Sequence, residues 1–277
     1  MISRRSWMAS SIGVASVGLT SLGLGPSGAA YARACVQEPG GSVLPPKFPV
    51  TDPELAQQIV GASHFDLPKV EQLLKTNPSL ARATWDWGFG DWETALGAAS
   101  HTGRIDIIQL LMGHGAAPTL FTLAALDRVD SVRAICTEQP GIQSQLGPHS
   151  ITLFKHAEAG KASRVLEYLT GLGGADEGPT NQPLSEQAVQ TYLGKYDFGL
   201  GTTDHFEVLI GKSVPRLGLR RTGASTRFLA CLDPTEHRFT MFGSPQVRMA
   251  FQVAGEQATG FELVDGNIRV QAKRILS

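Results

Sequence analysis

The sequence predicts an α+β multidomain chain, a helical solenoid followed by a small antiparallel, β-barrel-like domain. Three observations carry this. Short apolar-faced helical segments recur in pairs between residues 54 and 176, each too short to be stable alone and therefore obliged to stack on its neighbours. From Tyr192 onward the apolar period changes from helical to alternating, in a series of eight short strand-like runs. Between the two parts lies the turn-forming stretch Asp176–Pro183, DEGPTNQP, which sets a linker at 177–183 and the β-domain at 184–277.

Taken in order, residues 1–34 stand outside the fold. Ser3-Arg4-Arg5-Ser6-Trp7-Met8 and the weakly apolar, Gly-, Ser- and Ala-rich run to Leu24 resemble a twin-arginine export signal. The run is too short and too rich in small polar residues to span a bilayer well. Ala30-Tyr31-Ala32 offers small residues at signal-peptidase spacing, whereas a lipoprotein site at Cys35 has an arginine, Arg33, two places before the cysteine and matches less well. Gly23-Leu24-Gly25-Pro26-Ser27-Gly28 fits the dinucleotide pattern GxGxxG only by chance, since no strand precedes it. The resemblance implies a periplasmic or secreted protein, exported already folded. Residues 35–53, with five prolines, read as an extended linker.

Charge narrows the partners. The region Cys35–Pro183 has 10 basic and 16 acidic residues, and Leu184–Ser277 has 11 basic and 9 acidic. An acidic front half excludes nucleic acid and anionic lipid as its partner, because phosphate contacts need clustered Lys or Arg. The three cysteines, Cys35, Cys136 and Cys231, show no CxxC spacing, so no zinc framework is suggested, and Cys136 and Cys231 read as buried free thiols, with a disulfide between them as the alternative an oxidising compartment permits.

The helical part is clearest in Thr84–Pro118. Leu96, Ala98 and Ala99, then Ile105, Ile107, Ile108, Leu110 and Leu111, form two apolar-faced segments separated by Gly103. Thr94 is placed to cap the first helix, Gly103 to take the left-handed turn into the second, and Gly113 and Gly115 to end it. Thr94-Ala95-Leu96-Gly97, Ala98-Ala99, Gly103, Leu110-Leu111 and Gly115-Ala116 resemble an ankyrin repeat, with Ala95 and Gly97 where that family has proline and histidine. In this register Ala62-Ser63-His64 precedes Val70, Leu73 and Leu74 as Ala99-Ser100-His101 precedes Ile107, Leu110 and Leu111, an offset of 37 residues. Leu120–Gly147 and Pro148–Asp176 make a third and a fourth, shorter repeat, with Gly160 as the last turn glycine. The resemblance implies an ankyrin solenoid over 54–176 that grips a protein or peptide.

In the β-domain a short helix begins near Ser185, and strands are expected at Tyr192–Tyr196, His205–Ile210, Val214–Arg220, Thr226–Leu232, His237–Phe242, Val247–Val253, Ala258–Val264 and Ile268–Lys273. Asp265-Gly266 suits a tight turn. So many short strands call for closure or a curled sheet, which removes exposed edges. The Tyr192-Leu193-Gly194-Lys195-Tyr196 opening and the Phe261-Glu262-Leu263-Val264-Asp265-Gly266 ending resemble the lipocalin-like domain appended to β-lactamase-related serine hydrolases. The hydrolase motifs Ser-x-x-Lys and Gly-x-Ser-x-Gly are absent from the sequence, as are HExxH and a Walker loop.

One constellation stands out: Trp85, Asp86, Trp87, Asp91, Trp92 and Glu93 within nine residues, followed by His101. Flat rings beside carboxylates at a repeat finger point to recognition of a peptide, a cation or a sugar. Packing of some tryptophans beneath the finger, with Asp91 capping the helix, is the competing role. His64, His101, His149 and His156 could line the inner helices, and three would suffice for zinc. Such histidines more commonly bridge backbone groups in turns, and His149 and His156, seven apart on one helix face, lie too far from each other to share a metal. The expected function is therefore non-catalytic binding of a protein or peptide partner, with no cofactor or metal. Alternatives are an apolar or sugar ligand held by the β-domain, or a hydrolase-like enzyme using Asp91, Glu93 and His101.

Overall fold

The computed structural model describes residues 49–201, 203–212 and 216–276. The export signal, Cys35, most of the 35–53 linker and Val214 lie outside the described residues.

Eight helices come in four antiparallel pairs: α1 (Pro53–Ala62) with α2 (Leu67–Thr76), α3 (Ala95–His101) with α4 (Ile105–Gly113), α5 (Leu120–Ala125) with α6 (Val129–Glu138), and α7 (Leu153–Ala159) with α8 (Ser163–Leu172). The odd-numbered helices form one row, α1 on α3, α3 on α5 and α5 on α7. Side-chain caps set where most of them start. Asp52 and Asp66 accept from Glu54 N and Lys69 N at 3.0 Å, each beside a proline in the first turn. Thr94, Thr119 and Thr152 then cap α3, α5 and α7 in the same way. Thr94 and Gly103 (φ 68°) act as the sequence implies, but the turn at Gly160 does not. Gly160 is right-handed (φ −78°) and the left-handed residue is Lys161 (φ 54°), matched by Asp127 (φ 54°) between α5 and α6. Gly160 is required instead because a Cβ there would overlap the Ala125 carbonyl.

A hairpin of β1 (Thr84–Asp86) and β2 (Trp92–Thr94) projects before α3, with Trp85 opposite Glu93. Its loop is held by Asp86, whose Oδ1 accepts from Gly88 N (2.8 Å) and Gly90 N (3.2 Å).

After α9 (Glu186–Tyr192), capped by Ser185, eight strands close into an antiparallel barrel: β3 (Gly194–Asp197), β4 (Phe206–Ile210), β5 (Leu217–Arg221), β6 (Arg227–Asp233), β7 (Arg238–Met241), β8 (Ser244–Ala254), β9 (Gln257–Asp265) and β10 (Ile268–Arg274). Each strand pairs with the next, and β10 pairs with β3 to complete the ring. Every expected strand has its counterpart, and the tight turn between β9 and β10 is Gly266-Asn267, one residue on from the expected Asp265-Gly266 pair, because Asp265 pairs with Ile268 as the end of β9. The interior is filled by Tyr196, Phe206, Phe239, Phe251 and Phe261, ring against ring. Cys136 and Cys231 are buried free thiols. Among the described residues no helix is long and apolar enough to cross a membrane.

The hairpin loop joins the two parts. Gln246 Nε2 donates to Phe89 O at 2.8 Å, Ser225 Oγ to Trp87 O at 3.3 Å, and the Phe89 ring packs on the barrel core.

Candidate metal centre

Strand alternation in β2 decides what the hairpin presents. Trp92 projects to solvent at 61% exposure, and Glu93 turns fully inward at 0%. The helix stack meets it there. His64 follows the end of α1 and His101 ends α3, and the two residues, 37 apart in sequence, meet in space with ring centroids 4.9 Å apart. The third imidazole, His149, comes from a turn and not from a helix. Pro148–Ser150 is a 3-10 turn ahead of the Thr152 cap, in which His149 (φ 59°) and Ser150 (φ 58°) both hold the left-handed conformation. Two successive left-handed residues without a glycine cost backbone energy, and each has its side chain engaged. Ser150 Oγ accepts from Gly243 N at 2.7 Å, while His149 reaches the carboxylates. The expected shared helix face for His149 and His156 is corrected accordingly.

Around Glu93 three imidazoles converge. His101 Nε2 lies 2.8 Å from Oε1, and His149 Nε2 and His64 Nε2 lie 3.3 and 3.4 Å from Oε2. One donor atom from each of His64, Glu93, His101 and His149 falls within 4.8 Å of the others. Trp87 Nε1 donates to Glu93 Oε2 at 2.8 Å. His101 Nε2 and Glu93 Oε1 pair with each other at 2.8 Å, a contact that holds the carboxyl down, and neither has a further partner among the described residues. With the proton on Nδ1 of His101, both atoms turn lone pairs toward one small volume, which is costly unless a cation accepts them.

The surrounding bonds orient the rings. His64 Nδ1 contacts Val60 O and Gly61 O at 3.1 Å, and a proton on Nδ1 leaves the Nε2 lone pair facing Glu93. His149 Nδ1 lies 2.5 Å from Asp91 Oδ2, and its backbone N–H donates to Asp91 Oδ1 at 3.0 Å. Asp91–His149 directed at a central point is the carboxylate–histidine arrangement that fixes a metal-ligating imidazole. Asp91 does not cap α3, as the sequence suggested. Thr94 holds that position, and Asp91 is instead paired with Arg227 at the start of β6, under Gly243. A side chain at Gly243 would overlap the Asp91 carboxylate.

Electrostatics agree. Burial pushes the Glu93 carboxyl up, but His101 and His149 outweigh it and hold the group below the usual carboxylate range. Burial lowers His64, against the pull of Glu93, and takes the neighbouring His156 down to about 4. His156 is not one of the donors. Its Nδ1 lies 2.8 Å from Thr152 O, the backbone-bridging role expected of it.

Of the seven residues singled out by the sequence, Glu93 and His101 stand in the centre. Asp91 orients His149, Trp87 holds Glu93, Asp86 shapes the loop, and Trp85 packs on the helical core. Trp92 alone is exposed. Arg227, a basic residue opening the apolar run Phe228–Leu232, had no local signal beyond its position. No family model matches the chain, and no curated protein matches it in sequence.

Proposed function

We propose that the chain is a divalent-metal-binding protein whose ion is held by His64, Glu93, His101 and His149. The observation that carries this is the convergence of one donor atom from each of His64, Glu93, His101 and His149 to within 4.8 Å of one another, on a buried carboxylate and on imidazoles of which His64 and His149 are oriented by their neighbours. Three imidazoles and one carboxylate, with no thiolate, suit a borderline first-row ion such as Zn²⁺. Bound there, the ion supplies positive charge and Lewis acidity to whatever group joins the four donors.

The test is Zn²⁺ titration of the apo-protein by calorimetry, with metal analysis after dialysis. About one ion per chain is expected, held by wild type and lost in Glu93→Gln and in His101→Ala, whose folding is checked by circular dichroism. A wild-type protein that retains no ion and gives no binding heat sinks the reading. Exposure of Trp92 favours a second role for the same molecule, an exported ankyrin-type scaffold that meets a protein partner through the outer face of its hairpin. Loss of partner capture in Trp92→Ala, with metal content unchanged, is its signature.

A further inference from the structure

A cavity of about 310 Å³ opens beside the metal centre, between the Pro148–Ser150 turn and the barrel wall. Its walls are His149, Ile151, Thr226, Phe228 and Phe242, all half-buried, with Arg216 exposed at the margin. Two arginines face it, and they differ. Arg227 is nine-tenths buried and committed to Asp91, and burial lowers it to about 10, so it stays cationic but neutralised. Arg216 has no carboxylate partner among the described residues, and its guanidinium carbon lies 4.8 Å from the Phe242 ring centroid. Stacking on an aromatic face engages the guanidinium plane, not its N–H edges, which remain available to an anion. The cavity therefore combines apolar and aromatic walls with one uncompensated cation, the pattern of a site for a small molecule with an apolar body and a single acidic group.

We propose that this cavity binds a small aromatic carboxylate, its ring against Phe228, Phe242 and Ile151 and its carboxylate on Arg216. The site goes beyond the metal reading and does not depend on it, since Arg216, Phe228 and Phe242 are not metal donors. His149 is shared by both, as a ligand on one side and a wall on the other, so a molecule in the cavity sits against a residue of the metal centre.

The probe is benzoate, titrated into the full mature chain by calorimetry, with benzyl alcohol and inorganic phosphate as partial mimics. Saturable benzoate binding is expected in both the Zn²⁺-loaded and the EDTA-treated protein, weakened about 10-fold in Arg216→Gln through loss of a charge-assisted hydrogen bond. Benzyl alcohol and phosphate should each bind more weakly than benzoate. Absence of benzoate binding to wild type, or equal binding by Arg216→Gln, overturns the proposal. Phosphate binding as well as benzoate overturns the aromatic part of it. Zn²⁺ stoichiometry measured on the same sample reports separately on the metal reading. Arg216 is exposed, so its substitution leaves the fold intact and a loss of binding is read at the site.

Discussion

At the residue scale the most informative side chain is one that touches no proposed metal position. Asp91 is 2% exposed and serves two partners at once, the His149 ring and the Arg227 guanidinium. Asp91→Asn keeps the shape but removes the charge, with two separable consequences. His149 loses the acceptor that fixes its tautomer, and Zn²⁺ affinity is expected to fall about 10- to 100-fold, measured by competition with a chelating dye. Arg227 is left buried without a counter-charge, so the protein should also lose about 3–5 kcal/mol in urea denaturation. The double variant Asp91→Asn/Arg227→Met recovers most of the stability and none of the affinity. If affinity returns with stability, Asp91 acts only as a structural anion and the positioning role is wrong.

At the element scale the helix stack is held by turns whose backbones pass very close to the next pair. Gly103 combines φ 68° with a Cβ direction that runs into the Ala159 carbonyl. Gly103→Ala is expected to cost roughly 1–3 kcal/mol, from backbone strain together with displacement of α7. Gly113, at the end of α4 with open space around it and an ordinary φ, is the matched control. There Ala should be neutral or stabilising by up to about 1 kcal/mol, because it restricts the unfolded chain. Equal losses at both positions in thermal denaturation would show that helix propensity, not close approach, governs the stack. This scale also shows what a sequence can and cannot carry. The eight strands were legible because side-chain alternation is a local signal, and Thr94 marked its helix start because a cap acts within three residues. The donors were legible one at a time: Glu93 and His101 as finger chemistry, His64 through its 37-residue offset from His101. Their meeting was not. His149 arrives by a left-handed turn that no residue type announces, and Arg227 comes from the barrel, 136 residues after Asp91 in the chain.

At the scale of the whole molecule, the proposed metal centre gathers donors from the first helix pair, the hairpin, the second pair and the turn before α7, while Asp91 extends the same network to β6. An ion bound there exists only in the folded chain, so its binding free energy adds to stability by mass action. At a free Zn²⁺ concentration 100 times the dissociation constant this is about 2.7 kcal/mol. For a chain of this size each kcal/mol moves the melting point by roughly 2–4 °C, so removing the ion with EDTA should lower Tm by roughly 5–10 °C. Trp85, Trp87 and Trp92 all lie in the hairpin, so fluorescence reports melting on the helical side, while amide hydrogen exchange of β3 to β10 reports on the barrel. Because the Asp91–Arg227 pair and the Gln246–Phe89 bond cross between the two, the transitions should coincide in the metal-loaded protein and shift together with EDTA. Glu93→Gln should melt at the same temperature with or without EDTA. A shift confined to the fluorescence signal would mean that the ion holds the helix pairs together without tying them to the barrel.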